Sequence, residues 1–423
     1  MNILIVGCSA AGTAAVEAIR TYDWKSSIVQ LSEERDPLYS RCLLPYWLSG
    51  AIAGEGLRYR DASFHRDMQV TLHEGKRAVR LDAQGQRVVC DDGSTYPFDR
   101  LLIATGSSAK LPDNIPCDIG GVCALRTRAD AEIIRAYFVR ARGAVVLGGG
   151  LIGLKAACAL GESGMETTVV MKSDRVLSQM IDGEASRIIT ARLRTQKVGV
   201  LEGSDCSGID HREGRLTAVV TDQGQTIPCE LLIVAKGVRP NVSLAEGTGI
   251  AIRSGIVTTV TMQTTQENIF AAGDVAETYD IAREEYAVNA LWTCAVQQGR
   301  VAGLNMIGRR ASYDGAVGMN ALNIGGIPLI AYGMTNPREG SGCRVLVHGK
   351  RESALYRKII LKDHRIRGII LLGRIDDAGV LLSLIRQRTD VSAFEEELMS
   401  SQFNFAGLLR NVGKTVIDAY QSS

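Results

Sequence analysis

The sequence contains no apolar run of the about 18 residues that a helix needs to cross a bilayer. Its ten cysteines form no C-x-x-C pair and no zinc-like cluster, which argues against a structural zinc site. It has no basic stripe or tail, and a formal charge of +2 gives no reason to expect nucleic acid as a partner. A strand pattern begins at Met1, which leaves no room for a signal peptide. These absences favour a cytoplasmic protein whose cysteines are mostly small buried hydrophobes.

The chain is nevertheless too long for one hydrophobic core, since 423 residues usually form two or three domains. Apolar residues make up 46% of it, which suits domains with well-filled interiors. The 45 glycines follow no collagen-like period. They cluster at apparent strand-to-helix junctions, where phosphate-binding turns occur.

The N-terminus has the pattern of a strand–turn–helix–strand unit. Residues 2–6 are predicted to form a buried parallel strand, residues 7–12 a turn, residues 13–20 a helix and residues 28–31 the second strand. Glycine allows the tight turn, a small sixth residue lets the helix approach the strand, and the helix N-terminus offers N–H groups to a pyrophosphate. The residues predicted to hold this first dinucleotide are Gly7, Ser9, Ala10, Ala11 and Gly12.

Two details of this unit depart from the usual pattern. Ser9 stands where a second glycine is expected, although serine is small enough for close backbone approach. An acidic residue after the second strand should hold the ribose. Glu33 lies 26 residues after Gly7 with Glu34 beside it, whereas strict counting gives Ser32. We predict Glu33 for this role.

The same pattern returns 141 residues later, from Gly7 to Gly148. Residues 148–153 match G-x-G-x-x-G fully, after a predicted strand at 144–147 and before a predicted helix at 154–161. Two such turns in one chain indicate two dinucleotides, the arrangement expected when a nicotinamide reduces a flavin. The residues predicted to hold the second dinucleotide are Gly148, Gly150, Leu151, Ile152 and Gly153.

The end of the next predicted strand, residues 167–171, bears on the choice between NADH and NADPH. An NAD-selective site usually presents an acid there, whereas this chain has Lys172 and Ser173. No carboxylate would repel a 2′-phosphate and Lys172 would attract one, which tilts the choice slightly towards NADPH. A solvated surface lysine explains Lys172 equally well. Lys172 is a predicted cofactor contact, and both nicotinamides stay open.

The rest of the chain favours antiparallel strands. Residues 76–103 and 212–235 are each predicted to form short antiparallel strands with glycine-containing turns. The last hundred residues alternate like an antiparallel sheet and then turn helical. Their predicted elements are strands at 344–347, 356–361 and 367–373 and helices at 380–386 and 393–399. The predicted fold class is therefore α/β, with two Rossmann-like dinucleotide-binding domains and a C-terminal α+β interface domain.

Three further segments resemble a known family of two-dinucleotide flavoproteins, the pyridine nucleotide–disulfide oxidoreductases. Residues 264–275 look like its second FAD motif, residues 101–106 are similar to its A-T-G turn, and residues 235–241 are similar to its G-x-R-P-N segment. A strand that ends in Gly-Asp presents its carboxylate at the edge of a sheet where ligands bind. The resemblance implies that Asp274 accepts a hydrogen bond from the ribityl chain of FAD.

This resemblance covers roughly residues 1–310. It implies that FAD binds at the first turn and NADH or NADPH at the second. The contacts that it adds are Thr105, Gly106, Gly273 and Asp274 for FAD and Gly237 for the nicotinamide. The predicted domains are an FAD-binding domain in two parts (1–112 and 242–314), an NAD(P)-binding domain (113–241) and a C-terminal α+β interface and dimerisation domain (315–423).

Residues 39–46, Tyr-Ser-Arg-Cys-Leu-Leu-Pro-Tyr, resemble two branches of the family. Cys42 before x-L-P-Y is similar to the redox cysteine of coenzyme A disulfide reductases, NADH oxidases and NADH peroxidases, which cycles through a sulfenic acid or mixed disulfide. The same segment resembles the flavin modules of nitrite reductase and rubredoxin reductase, which usually have proline at this position. Strand patterns at 356–361 and 368–373 also favour the second branch. The C-x-x-x-x-C motif of lipoamide and glutathione reductases is absent.

We predict Cys42 as the catalytic residue and Arg41 as an FAD contact. If Cys42 lies at a helix N-terminus beside Arg41, both features would lower the pKa of its thiol and favour the thiolate. The expected activity is an FAD-dependent NAD(P)H oxidoreductase that passes hydride to the flavin and then, through Cys42, to a small disulfide, persulfide or peroxide.

Two alternatives stay open. In the first, the protein passes electrons to an iron–sulfur or rubredoxin-like protein and Cys42 is not catalytic. In the second, it is a subunit that keeps FAD only as a structural group. The resemblance also implies a homodimer, and Phe403 and Phe405 fit either its interface or burial within one chain.

Overall fold

The computed structural model describes residues 1–350 and 354–399 of the chain. The first 109 residues form β1 (Asn2–Val6), α1 (Ala10–Arg20), β2 (Ser27–Ser32), α2 (Leu44–Leu48), α3 (Phe64–Asp67), β3 (Val70–Glu74), β4 (Ala78–Asp82), β5 (Arg87–Cys90), β6 (Thr95–Pro97), β7 (Arg100–Ile103) and β8 (Ser107–Ala109). The next elements are β9 (Val122–Ala124), α4 (Arg128–Tyr137), β10 (Gly143–Leu147), α5 (Leu151–Glu162), β11 (Glu166–Met171), α6 (Gly183–Thr195), β12 (Val198–Glu202), β13 (Cys206–Arg212), β14 (Arg215–Thr221), β15 (Thr226–Pro228), β16 (Leu231–Val234) and β17 (Val238–Pro240).

The chain continues through a return to the first sheet and then a C-terminal sheet. These elements are β18 (Ile256–Val257), β19 (Ile269–Ala271), β20 (Ala276–Asp280), β21 (Glu285–Ala287), α7 (Trp292–Met306), β22 (Met319–Ile324), β23 (Ile327–Gly333), β24 (Arg344–Lys350), β25 (Leu355–Lys362), β26 (Arg365–Leu372) and α8 (Ala378–Arg386). Among the described residues, no helix combines the length and the apolar character that crossing a membrane requires.

Two parallel five-stranded sheets with the same spatial arrangement of strands organise the first 306 residues. The first sheet has the strand order β19-β7-β1-β2-β3 and the second has the order β9-β16-β10-β11-β12. The central strands β1 and β10 are apolar and largely buried, as expected for parallel strands that are covered on both faces. In each sheet the strand order reverses beside this central strand, so a crevice opens at its carboxyl end. We call the two sheets with their helices the first unit and the second unit.

Each unit carries a small antiparallel sheet, β4-β5-β6 in the first and β13-β14-β15 in the second. The predicted antiparallel strands at 76–103 and 212–235 are therefore correct in part and wrong for their last strands. β7 and β16 pair in parallel with β1 and β10 instead. Apart from Arg100, their residues are apolar and buried, a pattern that is typical of parallel core strands and indicates the parallel pairing. The antiparallel pair of β8 with β17 joins the two units.

The C-terminal sheet is antiparallel, with the order β22-β23-β26-β25-β24, and α8 packs against it. The hairpin of β22 and β23 turns at Gly325 and Gly326, which both have positive φ. The helix predicted at 393–399 is wrong, because residues 392–394 and 397–399 form only two separate 3₁₀ turns. The predicted contact residues Phe403 and Phe405 lie outside the described residues.

The α/β fold class with a separate C-terminal domain is confirmed. Helices α1 and α5 each begin three residues earlier than predicted, because the last three residues of each turn already belong to the helix. The predicted boundaries 112/113 and 241/242 fall between sheets, since β8 ends at Ala109 and β17 at Pro240. The four domain ranges stay a proposal.

Candidate functional site

The two glycine turns have the same geometry. Gly7 and Gly148 have φ values of +121° and +127°, a region that side-chain-bearing residues rarely adopt. A Cβ atom on Gly12 would lie 2.0 Å from the carbonyl oxygen of Gly7, and one on Gly153 would lie 2.0 Å from that of Gly148. Both helices therefore approach their turns so closely that only glycine fits.

The third residue of each turn tolerates a side chain. Ser9 and Gly150 are the N-caps of α1 and α5, with φ values of −97° and −80°. Neither position requires a left-handed backbone, so serine replaces glycine in the first turn without strain. Leu151 and Ile152 are the first two residues of α5, and Ile152 is exposed beside the second turn.

A cavity of about 510 Å³ lies at the carboxyl edge of the first sheet. Its volume is in the range of small-molecule and cofactor sites. The predicted residues that line it are Gly7, Ser9, Ala10, Ala11, Glu33, Arg41, Cys42, Thr105, Gly106, Gly273 and Asp274. Gly12 does not line the cavity but supports the turn from within α1. The glycine cradle and the cavity therefore fit FAD, and these residues would hold it.

Several cavity residues escaped the sequence prediction. They are Lys76, Arg77, Ser107, Ser108, Arg126, Arg239, Asn241, Ser243 and Trp292. Ser107 and Ser108 directly follow the A-T-G turn, and Arg239 and Asn241 belong to the G-x-R-P-N segment, so those motifs were a usable signal. Asn241 is paired with Thr105, whose hydroxyl donates to the carbonyl oxygen of Asn241 at 2.8 Å. The two chain segments that connect the units are thus hydrogen-bonded to each other at the cavity.

Asp274 is held by two of these missed residues. Arg126 Nη2 lies 2.7 Å from Asp274 Oδ2, and the hydroxyl of Ser107 donates to the same oxygen at 2.8 Å. Arg126 also donates through Nη2 to Ser107 Oγ at 2.7 Å. The carboxylate of the predicted ribityl acceptor is therefore held in place by an arginine from the loop after β9.

The acidic residues after β2 differ in what they bind. Glu34 forms an ion pair with Arg41 and accepts a hydrogen bond from the Tyr39 hydroxyl at 2.5 Å. Arg41 Nη1 donates to the carbonyl oxygen of Arg126 at 2.9 Å. Both glutamates line the cavity, but Glu33 is exposed whereas Glu34 is half-buried. This arrangement supports Glu33, rather than Glu34, as the predicted ribose contact.

Cys42 lies in a 3₁₀ turn, Arg41–Leu43, directly before α2, and its exposed side chain lines the cavity. The expected lowering of its thiol pKa is wrong. The surrounding cavity walls raise the pKa, Ser40 and the cations Arg126 and Lys155 lower it only in part, and Asp274 adds to the rise. Arg41 does not help because its charge is engaged by Glu34.

Cys8 is the other cysteine that lines this cavity, but unlike Cys42 it is buried. Cys8 is buried within the first turn, with its sulfur 3.4 Å from His65 Nε2, and burial raises its pKa strongly. This location agrees with a packing role. Within residues 1–350 and 354–399, no three His, Cys, Asp or Glu side chains are placed to hold a metal ion.

Backbone hydrogen bonds locate the position in the second unit at which NADH and NADPH sites usually differ. The Gly7 N–H donates to the carbonyl oxygen of Leu31 at 2.9 Å, and the Gly148 N–H donates to that of Val170 at 2.8 Å. Lys172 therefore occupies the place in the second unit that Glu33 occupies in the first. Its side chain is exposed. Gly237 has φ +89° and corresponds to Gly106, with φ +69°.

Comparison with known proteins adds family information. Residues 1–299 match the family model described as pyridine nucleotide-disulphide oxidoreductase, and residues 319–389 match the rubredoxin NAD⁺ reductase C-terminal domain. The chain is 31% identical over 401 residues to the epsilon subunit of NADH-dependent phenylglyoxylate dehydrogenase from Aromatoleum evansii, covering 94% of both chains.

Two further proteins are similar to most of this chain, one in sequence and one in structure. The assimilatory nitrate reductase electron transfer subunit of Bacillus subtilis is 26% identical over 95% of this chain, which spans about half, 51%, of that relative. The structure of an NAD-dependent persulfide reductase from A. fulgidus has a TM-score of 0.88 and 25% identity, covering 96% of this chain and 80% of the other.

Proposed function

The chain belongs to the pyridine nucleotide-disulphide oxidoreductase family, and on that premise we propose that it exchanges electrons between NAD(P)H and a redox protein. It is an FAD-dependent NAD(P)H oxidoreductase. FAD, when bound, accepts the hydride of a reduced nicotinamide and passes its electrons to an acceptor. The residues of this chain supply binding, alignment and electrostatic tuning.

The cofactor roles follow the two turns. We assign FAD to the cavity of the first unit, with its pyrophosphate at Gly7–Gly12 and its ribityl chain at Asp274. We assign the nicotinamide cofactor to Gly148–Gly153, with its adenosine end near Lys172. Because β8 and β17 join the units beside the cavity, the nicotinamide end can approach the flavin from the second unit.

The observation that carries the choice of acceptor is the end-to-end similarity to a protein named as one subunit of an NADH-dependent dehydrogenase. The match covers 94% of that relative and 94% of this chain, and the relative's name describes it as one subunit of a larger enzyme. The match of residues 319–389 to the rubredoxin NAD⁺ reductase C-terminal domain supports the same choice. A redox-protein acceptor such as an iron–sulfur protein also needs no thiolate, in keeping with the raised pKa of Cys42.

A second candidate function is reduction of a small disulfide, persulfide or peroxide through Cys42. The placement of the exposed Cys42 thiol in the cavity wall favours it. In this function Cys42 would be redox-active, and its thiolate would have to form despite the raised pKa. A cytoplasmic location and a homodimer also stay predictions, and light scattering of the purified holoprotein tests the dimer.

Replacement of Cys42 by serine separates the two functions. We expect the Cys42→Ser protein to keep its rate of flavin reduction by NAD(P)H and its rate of electron transfer to an iron–sulfur protein within about twofold. The physical reason is that a protonated thiol contributes little to electron transfer between flavin and a docked protein. Stopped-flow spectroscopy of both half-reactions measures these rates.

The matched control is Cys117→Ser, since Cys117 is also exposed but does not line the cavity. A loss of about 100-fold in turnover with a disulfide, persulfide or peroxide, confined to the Cys42 variant, would establish the second candidate instead. That result would also show that the thiolate forms in the holoprotein.

Replacement of Lys172 by glutamate tests the nicotinamide assignment. We expect the ratio of kcat/KM for NADPH to that for NADH to fall about tenfold or more, because a carboxylate repels the 2′-phosphate and can accept bonds from a free ribose 2′-hydroxyl. A tenfold change corresponds to about 1.4 kcal/mol. Steady-state kinetics with both nucleotides measures it. Lys25→Glu, at another exposed lysine, is the control, and an unchanged ratio in Lys172→Glu would place the 2′-position elsewhere.

A further inference from the structure

A lysine of the second unit reaches the segment that carries Cys42. Lys155 lies in α5, two residues after Gly153. Its Nζ donates to the hydroxyl oxygen of Tyr46 at 2.5 Å and lies 4.0 Å from the centre of the Tyr46 ring. Tyr46 belongs to α2, four residues after Cys42 in the cavity wall. One cation thus links the helix of the second turn to the helix that follows Cys42.

The position of this contact follows from packing. α2 leaves the first unit and packs against α5 and α4 of the second unit, with Leu44, Trp47 and Leu48 in their apolar core. The N-terminus of α5 is the second cradle, and Lys155 is five residues beyond the N-cap Gly150. Lys155 therefore lies where α5, the helix that begins at the second cradle, packs against α2 of the segment that carries Cys42. Its charge reaches the cavity, since it lowers the pKa of the Cys42 thiol.

Lys155 differs from Arg41 and Arg126 in the kind of group that it contacts. Arg41 binds the carboxylate of Glu34 and Arg126 binds that of Asp274, so both cations are balanced. The hydrogen-bond partner of Lys155 is the hydroxyl of Tyr46, not a carboxylate. Among the described contacts of Lys155, no carboxylate is paired with its ammonium group.

We propose that Lys155 is a positioning residue whose charge favours transfer of hydride from the nicotinamide towards the flavin. The half-reaction moves one hydride, with its two electrons, so the nicotinamide donor gains one positive charge and the bound flavin gains one negative charge. A fixed cation between them destabilises the first product and stabilises the second. Lys155 thereby promotes both flavin reduction and release of the oxidised nicotinamide. This inference rests on the family's NAD(P)H-to-flavin step and not on the acceptor.

Removal of the charge tests it. In the Lys155→Met holoprotein we expect the equilibrium constant for flavin reduction to fall about tenfold, which lowers the two-electron midpoint potential by about 30 mV. We also expect oxidised nicotinamide to bind about threefold or more tightly. Chemical redox titration of the flavin absorbance and fluorescence titration with NADP⁺ and NAD⁺ measure the two effects without turnover.

Matched variants separate charge from structure. Lys155→Arg should restore the potential, and Tyr46→Phe should shift it less than Lys155→Met does, because the cation stays but loses its anchor. Lys197→Met, at another exposed lysine of the second unit, should leave it unchanged. Lys155→Gln replaces the methionine variant if that variant retains no FAD.

An unchanged potential and unchanged nucleotide affinity in both charge-removing variants would overturn the proposal. So would equal shifts in Lys155→Arg and Lys155→Met. Because the titration is chemical, its result is independent of the acceptor. Failure of the wild-type protein to reduce a redox protein would sink the proposed function alone.

Discussion

The Gly12→Ala protein is expected to purify without FAD, whereas the Gly153→Ala protein should keep FAD but resist reduction by NAD(P)H. A new methyl group at either position would lie 2.0 Å from the carbonyl oxygen of the first glycine of its turn. No rotamer relieves a contact between a Cβ atom and backbone, so the helix must move away from the turn. The N–H groups then no longer converge on a pyrophosphate. We expect a loss of at least about 100-fold in affinity, or about 2.8 kcal/mol, at the turn that is changed.

This pair of variants is informative because the same lesion is made twice in one chain. Visible absorbance and FAD titration measure the first cradle. Stopped-flow reduction by NADPH and NADH, compared with reduction by dithionite, measures the second. Gly183→Ala is the control, since a Cβ atom there meets nothing within 4 Å. A Gly12→Ala protein that binds FAD normally, or a Gly153→Ala protein that NAD(P)H reduces normally, would reverse our assignment of the turns.

The success of the sequence in locating both turns has a physical basis. A phosphate-binding turn is made by six consecutive residues, so its requirements for glycine and small side chains appear within one short window. The strand before each turn is an uninterrupted apolar run, which is the other local signal. The Gly273-Asp274 pair is local in the same way, because it closely follows a short buried strand.

The residues that hold Asp274 in place could not be predicted from the sequence. Arg126 is 148 residues from Asp274, and Ser107 is 167 residues away. Their meeting depends on how the chain crosses between the two units, which no local pattern specifies. The same limit explains the wrong expectation for the Cys42 thiol. Arg41 is adjacent in sequence, but Glu34 takes its charge, and the cavity walls formed by distant segments raise the pKa.

The C-terminal domain shows a milder version of this limit. Alternating residues predicted its last three strands. The observed β24 ends three residues later than predicted, β25 is one residue longer at each end, and β26 begins two residues earlier and ends one residue earlier. The hairpin of β22 and β23 was missed although Gly325-Gly326 between apolar runs is a strong turn signal. One of the contacts that fasten this domain to the second unit could not be predicted from a local pattern. It pairs Asp182 with residues more than 170 positions away.

The Asp182→Ala protein is expected to lose about 3–5 kcal/mol of its free energy of unfolding. Asp182 Oδ2 accepts a hydrogen bond from the Tyr356 hydroxyl at 2.5 Å and lies 2.9 Å from Lys358 Nζ. Its other oxygen caps α6 by accepting from the Ala185 N–H at 3.1 Å. The Lys358 side chain is only 8% exposed, so removal of the carboxylate leaves a buried ammonium without its counter-ion. Urea unfolding at a fixed FAD concentration measures the loss.

The pH dependence of this contact has a definite sign. Burial opposes ionisation of Asp182, but the hydrogen bonds from Tyr356 and Lys358 outweigh it and hold the pKa below its usual 3.8. A carboxylate whose folded pKa is depressed stabilises the folded state fully above its unfolded pKa and loses that contribution as the pH falls through the folded value. The difference between wild type and Asp182→Asn should therefore be constant from neutral pH down to about pH 5 and shrink below about pH 4.

A second substitution, at Lys358, shows whether the Asp182→Ala protein is destabilised by the loss of the ion pair itself or by the buried ammonium group that is left without a counter-ion. In Asp182→Ala/Lys358→Met, the buried ammonium is gone and its apolar stem is replaced by one of similar size. We therefore expect the double variant to be more stable than Asp182→Ala alone, because a buried pair removed as a whole costs far less than one partner removed singly. The remaining deficit should be about 1 kcal/mol, the usual value of an N-cap. Equal stability of the single and double variants would mean that Asp182 acts as a helix cap and that its charge does not fasten the C-terminal domain.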